Sequence, residues 1–218
     1  MSIDRLAAAA LDLVPDAGRA ILGLAGAPGA GKTTLAEALV AHITTRRIPG
    51  FVAHVPMDGF HLADAQLDRL GLRERKGAPE TFDATGYAAL LRRLHTDTAH
   101  PVYAPGFERT LEQPIAGAVV VPPSARLVIT EGNYLLLAQP EWREARAALD
   151  QVWWVETDDA TRIRRLTDRH IRFGKDRDAA AAWVRDVDEA NTTILRTHGD
   201  PPDRVIVEAG GSWHFASP

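Results

Sequence analysis

The residues with the most chemistry to offer are Gly26-Ala27-Pro28-Gly29-Ala30-Gly31-Lys32-Thr33, which match G-x-x-x-x-G-K-[ST] at every fixed position. Glycines let a backbone turn with its N–H groups inward, where a Cβ would hold a phosphate off. The helix expected next adds partial positive charge at its N-terminus. Lys32 brings a full charge to the outer phosphates of a nucleotide. Thr33 offers a hydroxyl to Mg²⁺, a cation that takes oxygen ligands and keeps several waters. Residues 26–34, Thr34 included, are therefore the expected contacts to ATP, with Thr33 on the metal. An apolar strand pattern, Ile21-Leu22-Gly23-Leu24-Ala25, leads in and a helical one, Thr34-Leu35-Ala36-Glu37-Ala38-Leu39-Val40, leads out, so a chance Gly-rich loop is the weaker reading.

Two carboxylates come directly after short apolar stretches. One stretch runs into Asp58-Gly59-Phe60-His61, another into Glu131-Gly132-Asn133-Tyr134. Each places an acid at the sheet edge that carries the Gly-rich loop, where ligands of open α/β sheets sit. Phosphoryl transfer to a hydroxyl needs one group to orient or deprotonate the acceptor and another to help hold Mg²⁺. Asp58 is assigned to the acceptor and Glu131 to the metal and its water shell, and the sequence leaves an exchange of these roles open. Asp-Gly also suits a hairpin turn, yet the residues after Asp58 look helical. His61 either hydrogen-bonds the substrate or caps that helix.

Arg162, Arg165, Arg169 and Arg172 recur at i, i+3, i+7 and i+10, within an arc roughly 80° wide on a helix. One reading is a solvated face paired with Asp159, Asp168 or Asp176. The other is a lid that closes on the transferring phosphoryl group. The charged turn Gly174-Lys175-Asp176 and the phosphate site upstream favour the lid.

The elements that must position these groups alternate between short apolar runs and longer helical stretches. Residues 20–25, 51–57, 126–130, 151–156 and 204–208 read as strands; 32–45, 63–70, 84–95, 141–148, 159–173 and 179–197 read as helices. That alternation predicts an α/β chain, a parallel sheet of about five strands with helices on both faces; the Gly-rich motif after the first strand makes the expectation a P-loop NTPase fold, and the arginine-bearing helix adds a helical lid. Residues 101–124, rich in proline and glycine, break the pattern and read as a hairpin or flap on the acceptor side, with the lid around 160–180. A length of 218 residues suits a single domain over 1–218. Residues 76–83 read as a turn-rich loop that shapes the acceptor pocket or simply connects, with Asp83 as an N-cap. Adjacent Trp153 and Trp154 should face opposite sides of the sheet.

Composition excludes several classes. The chain has no cysteine, so disulfides, thiolate zinc sites and cysteine nucleophiles are out, and a cytoplasmic setting is expected. A net charge of −4 disfavours a nucleic-acid surface. No stretch approaches the roughly 18 apolar residues that span a membrane. Residues 6–11, bracketed by Asp4 and Asp12, read as an Ala-rich amphipathic helix rather than a signal-peptide core. No N-K-x-D stretch is present to read a guanine.

GAPGAGKTTLAEAL, MDGFHL, KGAPETFDATGY, VYAPGFERTLEQP, VITEGNYLLL and RLTDRHIRFGKD together resemble the P-loop kinase group that contains uridine kinase, phosphoribulokinase and bacterial pantothenate kinase. The nearest look is to small bacterial proteins labelled fructose-transport-system kinases or nucleoside/nucleotide-kinase-like. MDGFH followed by EGNYLLL is the specific part. The resemblance implies an ATP- and Mg²⁺-dependent transfer to an alcohol group of a small metabolite. It implies Asp58 as base, Glu131 on the metal, Tyr103 and Arg109 at the acceptor, and Arg165 and Arg169 in the lid. It also implies homo-oligomers, since family members often form dimers or tetramers. Uridine kinases follow P-V-Y-D with an aromatic and a histidine that grip the pyrimidine; here Pro101-Val102-Tyr103 runs into Ala104-Pro105-Gly106-Phe107-Glu108-Arg109, without that histidine. The competing class is a regulatory nucleotide-binding ATPase or switch, which has no need of Asp58, Tyr103 or Arg109.

Overall fold

A computed structural model describes residues 3–216. Its main sheet has six strands in the order β2-β5-β1-β6-β7-β8: β1 Ala20–Ala25, β2 Val52–Pro56, β5 Leu127–Gly132, β6 Gln151–Glu156, β7 Arg204–Ala209 and β8 Ser212–Phe215. The first five are parallel, as a βαβ alternation requires. The edge strand β8 returns antiparallel from β7 through Gly210 and Gly211, both at positive φ. It was not among the five expected strands. Its signal is short, a Gly-Gly turn before alternating Trp213 and Phe215.

Helix α1 (Ile3–Leu11) precedes β1, and α2 (Lys32–Thr44) leaves the Gly-rich loop. Leu6, Leu35, Leu39 and Ile43 from these helices bury against Leu22, Leu24, Trp153 and Ile206 on one sheet face. The other face takes α4 (Ala84–Thr96), α5 (Pro140–Ala147) and α8 (Glu189–His198), whose Tyr87, Leu91, Trp142 and Leu195 cover Ile21, Val55, Val128 and Val152. Trp153 and Trp154 lie on opposite faces, as the two-residue period of a strand demands.

After α3 (Asp64–Leu70), the excursion resolves into a hairpin, β3 (Val102–Glu108) with β4 (Gln113–Val121), forming its own two-stranded sheet. The region expected as a lid holds α6 (Asp159–Arg172) and α7 (Arg177–Trp183), which runs through a π-helical segment, Val184–Asp188, into α8. The helix expected over 179–197 is thus one rod with a wider turn inside it. Asp83, Asp158 and Asp176 cap α4, α6 and α7, accepting from the N–H of Gly86, Thr161 and Ala179 at 2.8, 2.9 and 2.8 Å. No helix among the described residues is long and apolar enough to cross a membrane.

Candidate active site

Register brings the functional groups to one edge. In the parallel sheet Leu24 of β1 and Pro56 of β2 both pair with Glu131 of β5, so the ends of these strands lie level. The Gly-rich loop leaves β1 there, the Met57–Phe60 turn carrying Asp58 leaves β2, and Glu131 is the next-to-last residue of β5.

The loop is anchored from outside. Thr157 Oγ1 donates to Ala30 O at 2.9 Å, and Arg162 Nη1 donates to Pro28 O at 3.1 Å. Gly31 takes φ +86° at the N-cap of α2, a left-handed conformation that glycine adopts without strain, and no side chain caps this helix. Its first N–H groups are left for a ligand, the arrangement that binds phosphate. A Cβ on Gly26 would stand 2.7 Å from Val155 O, so the loop can enter only as glycine.

Lys32 is buried. Its Nζ donates to Ala27 O at 3.1 Å and to Asn133 Oδ1 at 2.7 Å. Burial lowers its pKa to about 8, against the pull of Glu131 and Asp58 and with the push of Arg169 and Arg162. An ammonium held this way gains by meeting polyphosphate. Asn133 was written in the sequence but given no task; its partnership with Lys32 exists only once β5 lies beside β1.

The two carboxylates are driven apart. Burial pushes Glu131 up to about 7, and the Asp58 charge pushes the same way, while Lys32 and a hydrogen bond from Thr33 oppose it. Burial also pushes Asp58 up, but His61, Arg109, Lys32 and Arg169 together outweigh it and hold Asp58 below its usual value. One acid thus stays ionised among cations while the other sits beside Thr33 and takes charge only at a cost.

Arg109, carried by the hairpin end, donates from Nη2 to Asp58 Oδ2 at 3.0 Å. His61 Nδ1 lies 2.8 Å from Asp58 O, closing the turn, with its ring against Phe82 and Phe107. It does not cap the next helix, whose N-cap is Ala63. Tyr103 is not brought to this cluster; it lies on the outer face of the hairpin, 62% exposed.

The four arginines of α6 divide. Arg162 is fully buried and structural in its bonding, joining Pro28 O, Thr192, Asp159 and Glu189. Arg165 Nη1 pairs with the buried Glu208 at 3.0 Å and lies 3.6 Å from where a Gly31 Cβ would stand. Arg169 is near enough for its charge to act on Lys32 and Asp58. Arg172 is exposed. Beyond Arg165, a cavity of about 480 Å³ opens at the carboxyl ends of β6 and β7, lined by Glu156, Thr157, Arg196, Val207, Glu208 and Gly210 among others. Thr157, Glu208 and this cavity were not foreseen, because no local pattern marks them.

A parallel sheet with this strand order and the Gly-rich loop anchored from α6 define the class of P-loop kinases. No family model matches the chain. A Schizosaccharomyces pombe protein, provisionally named a uridine kinase, is 33% identical over 212 residues, 94% of this chain and 90% of that protein. An ATP-dependent kinase-like protein of Aspergillus versicolor is 38% identical over 170 residues, 74% of this chain and 97% of its own. The crystal structure of a Silicibacter protein, provisionally named a fructose transport system kinase, superposes with a TM-score of 0.86 at 37% identity, covering 96% of this chain and 100% of that one. The chain belongs to the P-loop kinase family of these uridine-kinase-like and fructose-transport-system-kinase-like proteins.

Proposed function

We propose that the protein transfers the γ-phosphoryl group of ATP to a hydroxyl of a small metabolite, within one domain. The observation that supports this best is the convergence of Lys32, Asp58 and Glu131 at one sheet edge, where both carboxylates act on Lys32, and Asp58 and Lys32 act on Glu131. In this reading, the N–H groups of residues 26–34, Pro28 excepted, and the Lys32 side chain hold the phosphates, and the base of the nucleotide lies toward the cavity at the ends of β6 and β7. Thr33 and Glu131 are oxygen donors suited to Mg²⁺ that the nucleotide brings. When bound, that ion offsets phosphate charge. Asp58 takes the proton of the acceptor hydroxyl. The acceptor oxygen then bonds to the γ-phosphorus as the bridge to the β-phosphate breaks, and ADP leaves. Arg165 and Arg169 descend from the lid onto the phosphoryl oxygens, and closure excludes water.

The test is ADP release measured with and without metabolite pools, on the native protein and on Asp58→Asn. Release stimulated by an acceptor, and lost in the variant, is expected. Release indifferent to every acceptor would mark a regulatory ATPase instead.

A further inference from the structure

We propose that the acceptor carries an oxyanion, a carboxylate or a phosphate monoester, a few bonds from the hydroxyl that is phosphorylated, and that Arg109 and Lys76 hold it. This rests on the kinase reading and names the substrate class of the same site.

Three segments meet beyond Asp58: the turn at 57–61, the loop at 73–82 and the hairpin end at 107–113. They are packed tightly. A Cβ on Gly59 would stand 2.3 Å from Pro105 O of the hairpin. His61 pairs with Phe82 in an isolated β-bridge, and its ring lies 4.0 Å from that of Phe82 and 4.8 Å from that of Phe107. These rings make an apolar floor, and two cations stand on it. Lys76 Nζ and Arg109 Cζ each lie 5.6 Å from the centre of the Phe107 ring. Both charges also act on His61.

Neither cation is used up. Arg109 spends one N–H on Asp58, leaving the rest of a planar five-donor fork that matches a carboxylate or phosphate through two bonds at once. Lys76 is held by Asp64 Oδ1 at 2.7 Å and by Glu112 O, which leaves one of its three protons. Its side chain is only 15% exposed, so water serves that proton poorly. The nucleotide has its own cations, Lys32 and Arg169, which also act on Asp58. Arg109 and Lys76 come instead from the hairpin and the loop. An acceptor whose hydroxyl lies within about 3 Å of Asp58 stands beside Arg109, which is bonded to the same carboxylate. The Arg109 side chain is 41% exposed, so a neutral sugar or nucleoside leaves its free edge to water, whereas an oxyanion fills it with two charge-assisted bonds.

The experiment uses the full chain with MgATP and matched acceptors: small hydroxy acids against their primary amides, and polyol phosphates against the free polyols, with nucleosides as a third arm. ADP release gives kcat and KM, and ³¹P NMR confirms the phosphorylated product. A charged acceptor should exceed its neutral partner by roughly 10- to 100-fold in kcat/KM, the scale of a charge-assisted bidentate contact, and the carboxylate and phosphate arms identify the oxyanion. Arg109→Gln and Lys76→Met, with melting temperatures recorded, should raise KM for that acceptor by 10-fold or more while KM for ATP stays within about 3-fold. Neutral nucleosides or sugars turned over as well as any acid would overturn the inference and leave the kinase reading standing. So would a defect in the variants confined to ATP affinity. ADP release indifferent to all three arms would overturn both.

Discussion

Replacing Arg162 by methionine tests whether the Gly-rich loop is held from the lid helix. The side chain is 1% exposed. Nη1 reaches Pro28 O at 3.1 Å and Thr192 Oγ1 at 3.3 Å; Nη2 reaches Glu189 at 2.6 Å and Asp159 at 3.2 Å. Methionine keeps the packing of the stem and removes the charge. Stranding a buried partner charge costs about 3–5 kcal/mol, but that ceiling is not reached here. Asp159 keeps Arg196 at 2.7 Å, and Glu189, 32% exposed, regains water. What remains is the loss of a charged donor to buried Pro28 O, about 1.5–3 kcal/mol. In a chain of this size each kcal/mol moves the melting temperature by about 2–4 °C, so a fall of about 3–12 °C is expected. The freed Pro28 carbonyl also loosens the phosphate cradle, so ATP affinity should weaken several-fold. Scanning fluorimetry and ATP titration measure both, with exposed Arg172→Met as the control that should melt within about 1 °C of native. An Arg162→Met protein with native melting and native ATP affinity would refute the anchoring role.

Asp58→Asn should lower turnover at least about 10²-fold with ATP affinity within a few-fold; lost ATP binding with unchanged turnover would place Asp58 on the metal instead. Burial raises Glu131 from 4.5 to about 7. Between those values the folded chain keeps a proton that the unfolded chain releases, so stability from this group falls as pH rises through that window. In EDTA without nucleotide, Glu131→Gln should therefore gain on the native protein in melting temperature between pH 5 and pH 8, and an equal gap at both would contradict the assignment. Asn133→Ala removes the 2.7 Å bond to Lys32 and should weaken ATP binding by roughly 3- to 10-fold, read by titration. Arg165→Ala should lower kcat with ATP affinity nearly intact; normal kcat would take Arg165 out of the mechanism.

The amino-acid sequence alone determined what is local. The spacing of Gly26, Gly31 and Lys32 was enough for the cradle, because its conformation depends on a close approach at Gly26, positive φ at Gly31 and the helix that starts at Lys32. Short apolar runs determined the five parallel strands, and Asp58 and Glu131 were legible from standing at their ends. Only tertiary structure decided which side chains meet. Four arginines on one helical arc look alike in sequence. Folding buries Arg162 under the loop, gives Arg165 to Glu208, brings the charge of Arg169 within range of Lys32 and leaves Arg172 in water. Tyr103 and Arg109 lie in the same stretch, yet an irregular register in the hairpin accompanies Tyr103 turned outward and Arg109 on Asp58. Asn133 reaches Lys32 across 101 positions. Such pairs carry no signature in the order of residues, because each is set by the register of parallel strands and by the packing of loops that the order specifies only through the whole fold.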